Sequence, residues 1–238
     1  RFSTAWPRIQ PAGSGRFNAE GIQFYSRLVD ALLTQGIEPW LCLNHWDLPQ
    51  ALQEKGGWLN RDTVMRFVEY SWKVLKELGD RVKHVIPHNE PNVLSILGHG
   101  VGIHAPGLRD EAACFASAHH LNLSHGIASR ELKICQPDLK IGPVLSLQRV
   151  VEKEHDPSAA DRLDALWNYM FLDPVLKGEY PELLNEELNH WVQEGDLKLI
   201  HAKADFFGLN HYTVMRAKCE SQGPHWGSVS WRLRRVFR

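Results

Sequence analysis

Apolar residues along the chain alternate between short continuous runs and longer amphipathic stretches. Between Ala19 and Gln35 they recur at spacings of three and four residues, which predicts a helix with Asn18 as its N-cap and Gly36 just beyond its end. Residues 37–43 follow and are mostly apolar at both alternating sets of positions, as in a strand that is buried on both faces. This alternation predicts βα units arranged around a parallel sheet.

The same periodicity predicts further helices and strands along the chain. Helices are expected after Asn60 as far as Gly79, over residues 110–136, around 159–170, and in shorter pieces within 181–194 and 197–201. The first of these should bury Val64, Phe67, Val68, Trp72, Leu75 and Leu78. Strands are expected over residues 1–5, 37–43, 82–86, 140–145 and 204–210.

Polar and aromatic residues follow the predicted strands, which is typical of a TIM (β/α)8 barrel, an α/β fold with its chemistry at the carboxyl ends of the strands. A doubly wound open sheet would share the alternation, but no GxGxxG or GxxxxGK[ST] motif follows any strand. The chain has no internal repeat and no low-complexity linker, so one domain over residues 1–238 is expected. Residues 222–238 lose the periodicity and are expected to form an irregular tail.

Composition and charge exclude some classes of partner. Of the 238 residues 43% are apolar, and 27 Lys and Arg stand against 28 Asp and Glu, for a formal net charge of -1. This balance predicts neither nucleic acid nor an anionic membrane as a partner. No apolar run approaches the roughly 18 residues needed to cross a bilayer, so a soluble protein is expected.

The cysteines and histidines give no sign of a metal or redox centre. Cys42, Cys114, Cys135 and Cys219 lie far apart and form no CxxC pair, which favours a reduced, cytoplasmic setting. None of the 13 histidines lies in an HExxH or comparable spacing. No metal and no cofactor are therefore expected.

Three clusters of polar and aromatic side chains follow predicted strands. They are His45-Trp46-Asp47, His88-Asn89-Glu90-Pro91 and Asn210-His211-Tyr212. At equivalent positions of a barrel, these clusters would converge on one face. A sugar needs an aromatic surface for its apolar face and amide, imidazole and indole donors for its hydroxyls. A carboxyl group beside them suggests acid–base chemistry on a glycosidic oxygen.

Several short motifs occur in order along the chain. They are Arg1-Phe2-Ser3, Trp6-Pro7-Arg8-Ile9, Gly36-Ile37-Glu38-Pro39, His45-Trp46-Asp47-Leu48-Pro49-Gln50, Gly57-Trp58-Leu59-Asn60-Arg61, Asn89-Glu90-Pro91 and His104-Ala105-Pro106-Gly107. Together they resemble glycoside hydrolase family 1, the β-glucosidase family of retaining TIM-barrel enzymes, over nearly the whole chain to about Arg216. The resemblance implies an O-glycosyl hydrolase that cleaves terminal β-D-glycosides by double displacement, with a β-glucoside or oligosaccharide as the expected substrate.

The resemblance also implies roles for the residues around the expected acid. Glu90 corresponds to the general acid/base, which protonates the leaving oxygen and then activates water. Asn89 corresponds to the amide that holds the sugar 2-hydroxyl. His45 and Trp46 correspond to donors to the 3-hydroxyl region.

Asn210 and Tyr212 match the motif that lines the site near the two carboxylates, with the Tyr212 hydroxyl bonded to the nucleophile. Arg1 matches the arginine that helps to keep this nucleophile ionised. The nucleophile itself is a second Glu in an Ile/Val-Thr-Glu-Asn-Gly run, and no such run occurs in the sequence. Lesser departures are His211, where the family usually has Tyr, and Pro87-His88 before Asn89.

The matched motifs correspond to strands two to six of eight, without the first strand and the last two. We therefore expect a fragment or a split half, whose open sheet edges would self-associate or pair with the missing remainder of the barrel. The first residue, Arg1, is not expected to be a natural translation start. The alternative is a non-hydrolytic glycan-binding or half-barrel assembly module derived from the same family.

Overall fold

The computed structural model describes residues 1–152, 157–219 and 229–231. The strands are β1 (Phe2–Ser3), β2 (Trp40–Asn44), β3 (His84–His88), β4 (Lys140–Ile141), β5 (Val144–Ser146), β6 (Arg149–Glu152), β7 (Gly208–Asn210), β8 (Val214–Cys219) and β9 (Val229–Trp231). The α-helices are α1 (Trp6–Ile9), α2 (Ala19–Thr34), α3 (Gln50–Gln53), α4 (Asp62–Leu78), α5 (Pro91–Val93), α6 (Glu111–Cys135), α7 (Pro157–Asp164), α8 (Met170–Leu176), α9 (Asn185–Leu188) and α10 (Asp196–Ile200). Two π-helical segments, Leu94–Gly100 and Ala165–Tyr169, and two 3₁₀ turns, Gly57–Leu59 and Glu182–Leu184, complete the helical structure of these residues.

The main sheet consists of parallel strands that pair in chain order. β1 pairs with β2, β2 with β3 and β3 with β4, and a bridge between Asn89 and Val144 carries the pairing on to β5, which pairs with β7. Parallel neighbours in chain order, joined by helices, are the arrangement of a (β/α) barrel. The predicted incomplete barrel is therefore confirmed, and each predicted strand has a counterpart, with residues 140–145 divided between β4 and β5.

A second, smaller sheet was not predicted from the sequence. β6 pairs with β8 in parallel, and β8 pairs with β9 antiparallel. β6 and β8 begin only a few residues after β5 and β7 end, so the sequence pattern did not separate them from the loops after the main strands. β9 lies within residues 222–238, which were expected to be irregular, and the other residues of that segment lie outside the described part of the chain.

The sheet separates two apolar layers. On β2, Leu41 and Leu43 pack in the large core cluster that includes side chains of α2, α4 and α6, whereas Cys42 lies in a separate cluster with Ile86 and Val144. Successive side chains of a strand point to opposite faces, so a sheet between two layers buries both sets. This explains why the strands are apolar at both alternating sets of positions.

Two helix details differ from the prediction. Asn18 precedes α2 but makes no capping hydrogen bond, and its side-chain amide instead donates to the Arg8 carbonyl at 3.0 Å. Trp72 was expected to be buried on α4 but is 43% exposed, with its indole N–H directed to Cys135 Sγ at 3.2 Å. The bounds of α2 and α4 agree with the periodicity to within two residues.

Candidate active site

Glu90 lies at the point where β3 ends and a helix begins. Its backbone has φ +47° and ψ +60°, a left-handed conformation that is uncommon for a residue with a side chain. The Glu90 N–H donates to the Val144 carbonyl at 2.9 Å, and the Asn89 N–H donates to the Asn44 carbonyl at 2.9 Å. These bonds to the neighbouring strands hold the turn, and Pro91 then starts α5 with a fixed φ.

The Glu90 carboxyl group is buried and bonded to the next functional strand. Glu90 is only 6% exposed, and its Oε1 accepts a hydrogen bond from Asn210 Nδ2 at 2.7 Å. Asn210 is the last residue of β7, so two strand ends meet at this carboxyl group. The arrangement confirms that the barrel brings Glu90, Asn89 and Asn210 together.

The Glu90 carboxylate sets the direction of hydrogen bonds through its neighbours. A carboxylate only accepts, so Asn210 turns its amide nitrogen towards Glu90, and this nitrogen also lies 3.4 Å from Asn89 Oδ1. Asn89 then presents its own nitrogen to His45 Nε2 at 3.2 Å. His45 Nε2 accepts this bond, so the His45 proton lies on Nδ1 and is donated to Ser3 Oγ at 3.1 Å. This network assigns a neutral imidazole with a defined tautomer.

Trp46 supports the same network from the side. It has φ +78°, and its indole N–H donates to the Asn89 carbonyl at 2.8 Å. Its ring lies edge-to-face against His45 and His104, with centroids 5.1 and 5.4 Å apart. The indole donor that the resemblance assigned to a sugar hydroxyl is thus already bonded to the backbone here.

Tyr212 and Arg1 act on the same site electrostatically. The Tyr212 side chain is largely exposed, and its pKa is raised by partial burial and by the Glu90 carboxylate. The Arg1 charge opposes that rise. Burial lowers the pKa of His45, with the Glu90 charge acting against this and the Arg1 charge adding to it. Glu90 is thus the acidic group that acts on Tyr212 here, and the bond from Tyr212 to the nucleophile that the resemblance implies stays a prediction.

His211 and His88, which depart from the family motif, also make hydrogen bonds. The exposed His211 directs Nδ1 to the Leu147 carbonyl at 2.8 Å. His88 is 2% exposed, with Nδ1 3.0 Å from Asn44 Nδ2 and Nε2 2.7 Å from Ser124 Oγ. Burial holds the pKa of His88 well below its usual range, which agrees with a neutral ring that accepts from Asn44 and donates to Ser124.

Several residues of the site carried no predicted role. Ser3 lies in a quoted motif, but only its contact with His45 reveals what it does. Asn92 and Gln148 bond the segments that carry Glu90 and Tyr212, and no motif marks them. The one sequence signal for Gln148 is its position just after a predicted strand, where barrel enzymes place functional side chains.

Chemically, the site combines one buried carboxyl group with amide, imidazole and phenol groups. Such a set can bind hydroxyl groups and exchange a proton at Glu90. Within residues 1–152, 157–219 and 229–231, no group of three or more His, Cys, Asp or Glu side chains is placed to hold a metal ion. Cys42, Cys114 and Cys135 are free thiols. None of the helices in these ranges has both the length and the apolar character to cross a membrane.

Comparisons with known proteins agree on one family. The model of "Glycosyl hydrolase family 1" matches residues 1–226. Beta-glucosidase A of Acetivibrio thermocellus is 46% identical over 221 residues, which cover 90% of this chain and 49% of that protein. The chain spans about half the length of the curated relatives it matches.

Solved structures show the same relationship. The psychrophilic beta-glucosidase BglU from Micrococcus antarcticus is 44% identical and superposes with a TM-score of 0.92, covering 100% of this chain and 56% of that one. The beta-glucosidase from Thermotoga maritima in complex with deoxynojirimycin is 40% identical, with a TM-score of 0.89, covering 98% of this chain and 53% of that one. The incomplete barrel described above thus has the backbone of these full-length barrels over the matched part.

Proposed function

Because this chain belongs to glycosyl hydrolase family 1, we propose that its site serves the hydrolysis of β-D-glucosides with retention of configuration at the anomeric carbon. The observation that carries the proposal is the buried Glu90 carboxyl group, held at a strand end among Asn89, Asn210 and Tyr212. A carboxyl group in this setting is suited to protonate a glycosidic oxygen. The beta-glucosidase names of the relatives support a glucoside as the substrate.

In the proposed cycle, a carboxylate attacks the anomeric carbon while the bond to the leaving oxygen breaks and Glu90 transfers its proton to that oxygen. Glu90, now a carboxylate, then takes a proton from water as the water oxygen displaces the enzyme carboxylate. Asn89 would hold the sugar 2-hydroxyl, a contact that strengthens in the transition state. His45 would bind near the 3-hydroxyl by giving up its bond from Asn89, and Trp46 would contribute its ring face.

The attacking carboxylate is the missing part of this cycle. Retaining enzymes place two carboxyl groups about 5–5.5 Å apart. The sequence contains no Ile/Val-Thr-Glu-Asn-Gly run. We infer that the nucleophile comes from polypeptide outside these 238 residues and that this chain alone does not complete the double displacement. On the same reasoning, we infer that the open edges of the incomplete barrel sheet pair with the remainder of the same barrel.

The compartment that best fits this chain is the cytoplasm. The free thiols of Cys42, Cys114 and Cys135 support a reducing environment. The proposed partner is a β-glucoside or an oligosaccharide, with neither nucleic acid nor a membrane involved.

An added nucleophile tests the proposal on the chain as it exists. Azide can take the place of the missing carboxylate, attack the anomeric carbon and expel the aryl oxygen, so that the product is α-D-glucosyl azide. We expect this product from phenyl β-D-glucoside and from 2,4-dinitrophenyl β-D-glucoside. Glu90→Gln should slow the phenyl reaction about 10²–10⁴-fold, because phenol needs a proton to leave, and affect the dinitrophenyl reaction far less.

Ligand-observed NMR with deoxynojirimycin separates binding from turnover. If deoxynojirimycin or gluconolactone binds equally well to the Glu90→Gln variant and neither substrate gives the azide, the acid role of Glu90 is wrong and a glycan-binding module is favoured. Exposed Gln23, changed to Met, serves as a control that should behave as the unmodified chain.

A further inference from the structure

The two parallel strand pairs beside the active site are joined across a break in register. Ser146 of β5 lies opposite Asn210 of β7, and Arg149 of β6 lies opposite Val214 of β8. Two residues separate the paired positions on the first chain segment, but three separate them on the second. The segment that carries Tyr212 therefore contains one extra residue, as in a β-bulge, and part of its backbone cannot pair with the neighbouring strand.

Gln148 supplies the partner that the ladder lacks. Its side-chain Oε1 accepts hydrogen bonds from the Tyr212 N–H at 3.2 Å and from the Thr213 N–H at 2.9 Å. One amide oxygen thus satisfies two successive backbone donors of the turn. The bond from His211 Nδ1 to the Leu147 carbonyl, at 2.8 Å, closes the same turn from its other end.

Gln148 is itself held rigidly. It is 5% exposed, and its Nε2 donates to Ser146 Oγ at 3.1 Å. Asn168 accepts from the Gln148 N–H at 3.1 Å and donates to the Gln148 carbonyl at 2.8 Å. The backbone N–H, the carbonyl and the side-chain Nε2 of this buried residue are therefore all held by hydrogen bonds, which leaves Oε1 for the Tyr212 segment.

The same short segment also holds the turn that carries Glu90. Asn92, two residues after Glu90, donates to the Ser146 carbonyl at 2.8 Å and accepts from the Ser146 N–H at 3.3 Å. Residues 146–148 thus bond to both functional segments. Packing cannot fix Tyr212 in place of these bonds, because its side chain is 74% exposed.

We propose that Gln148 is a positioning residue that fixes the backbone of the bulged turn, and thereby the place of the Tyr212 phenol two residues after Asn210, which bonds the Glu90 carboxyl group. Gln148 touches neither a substrate nor the reacting carboxyl group, and it acts only through Tyr212. That the placement of Tyr212 serves catalysis rests on the proposed function, whereas the placement of Tyr212 by Gln148 does not.

Gln148→Met tests the proposal, because Met has a similar length and lacks the amide. The readout is the titration of Tyr212 followed by NMR of ¹³Cζ-labelled tyrosine, with the signal assigned by Tyr212→Phe. Glu90 and Arg1 are the charged groups that act on this phenol, and the Tyr212 pKa is raised in the intact site. In Gln148→Met the pKa should fall towards the ordinary value of about 10, and exchange of the Tyr212 and Thr213 amides should become about fivefold faster or more.

Gln10→Met is the matched control, because Gln10 is also a buried, hydrogen-bonded glutamine but lies in another part of the core. It should lower stability without moving the Tyr212 titration. A Tyr212 titration that is the same in Gln148→Met and the unmodified chain would overturn the proposal. If Gln148→Met does not fold, amide exchange is measured in the unmodified chain instead. Tyr212 and Thr213 amides that exchange there as fast as in an unstructured peptide would also overturn the proposal. These measurements use no glycoside, so their outcome does not depend on whether the proposed hydrolysis is correct.

Discussion

Asn210 donates a hydrogen bond to Glu90 over 2.7 Å, although 120 residues separate the two along the chain. The bond runs from the last residue of β7 to the second residue after β3, and it joins an amide nitrogen to a carboxyl oxygen. Hydrogen bonds to a charged group are among the stronger ones in proteins. The pair therefore orients the carboxyl group on which the proposed chemistry depends.

Asn210→Ala should impair the acid step in particular. Losing a hydrogen bond to a charged group costs about 1.5–3 kcal/mol, so azide-supported cleavage of phenyl β-D-glucoside should fall about 10- to 150-fold. Cleavage of the dinitrophenyl glucoside should fall much less, because its leaving group needs no proton. An equal loss on both substrates would show that Asn210 serves binding and not the orientation of Glu90. Exposed Asn189→Ala is the control and should change neither rate.

The buried histidines should make the fold sensitive to acid. Burial lowers the pKa of His125 to about 4, and it lowers the pKa of His119 to about 4 despite the Asp196 carboxylate beside it. The unfolded chain then binds more protons than the folded chain between about pH 6.5 and pH 4. The free energy of unfolding should fall as the pH decreases through this range, by up to about 1.4 kcal/mol per pH unit for each histidine.

Urea denaturation at several pH values measures this slope. His125→Asn should reduce it by as much as one proton's contribution, because the asparagine side chain does not titrate. His190→Gln, at an exposed position, should leave the slope unchanged. A slope in His125→Asn that equals that of the unmodified chain would rule out a protonation penalty at this residue.

Asp196 holds together three elements outside the active site. It is 1% exposed and accepts from Arg61 at 2.9 and 2.5 Å, from His119 Nε2 at 2.9 Å and from the Gln193 N–H at 2.8 Å. Asp196→Ala leaves these donors without their partner and should cost about 3–5 kcal/mol of unfolding free energy, measured in urea. Glu77→Ala, which removes a partly exposed i,i+4 pair with Lys73, should cost no more than about 0.5 kcal/mol. Similar losses of unfolding free energy in the two variants would show that the buried Asp196 carboxylate stabilises the fold no more than the Lys73–Glu77 pair does.

Gly126 reverses the usual effect of alanine in a helix. In an exposed helix, Gly→Ala stabilises by about 1 kcal/mol. Here a Cβ on Gly126 would lie 2.2 Å from the Leu199 carbonyl oxygen and 2.6 Å from Ile200 Cα, both backbone atoms of α10. Gly126→Ala should therefore destabilise by about 1–3 kcal/mol, as seen by thermal unfolding. Glu131→Ala, on an exposed position of the same helix, should stay within about 0.5 kcal/mol, and a stabilised Gly126→Ala would disprove the close contact.

Local periodicity was a good guide where one face of an element meets a single core. The bounds of α2 and α4 and the order of the main strands followed from it. Trp72 shows its limit, because helical spacing assigns a side chain to a face but cannot say where the neighbouring helix ends. The sheet of β6, β8 and β9 shows another, since short strands that directly continue from other strands leave no separate pattern.

The sequence by itself determined the family and the barrel class, and it predicted Glu90, Asn89, His45 and Asn210 as site residues, because motifs and strand ends are local features of the chain. Only the tertiary structure decided which groups meet. It bonded the Trp46 indole to the Asn89 carbonyl, brought Tyr212 under the influence of the Glu90 charge, and gave Ser3 and Gln148 their partners. The physical reason is that these contacts join residues dozens of positions apart, and their geometry depends on strand register and on one extra residue in a turn.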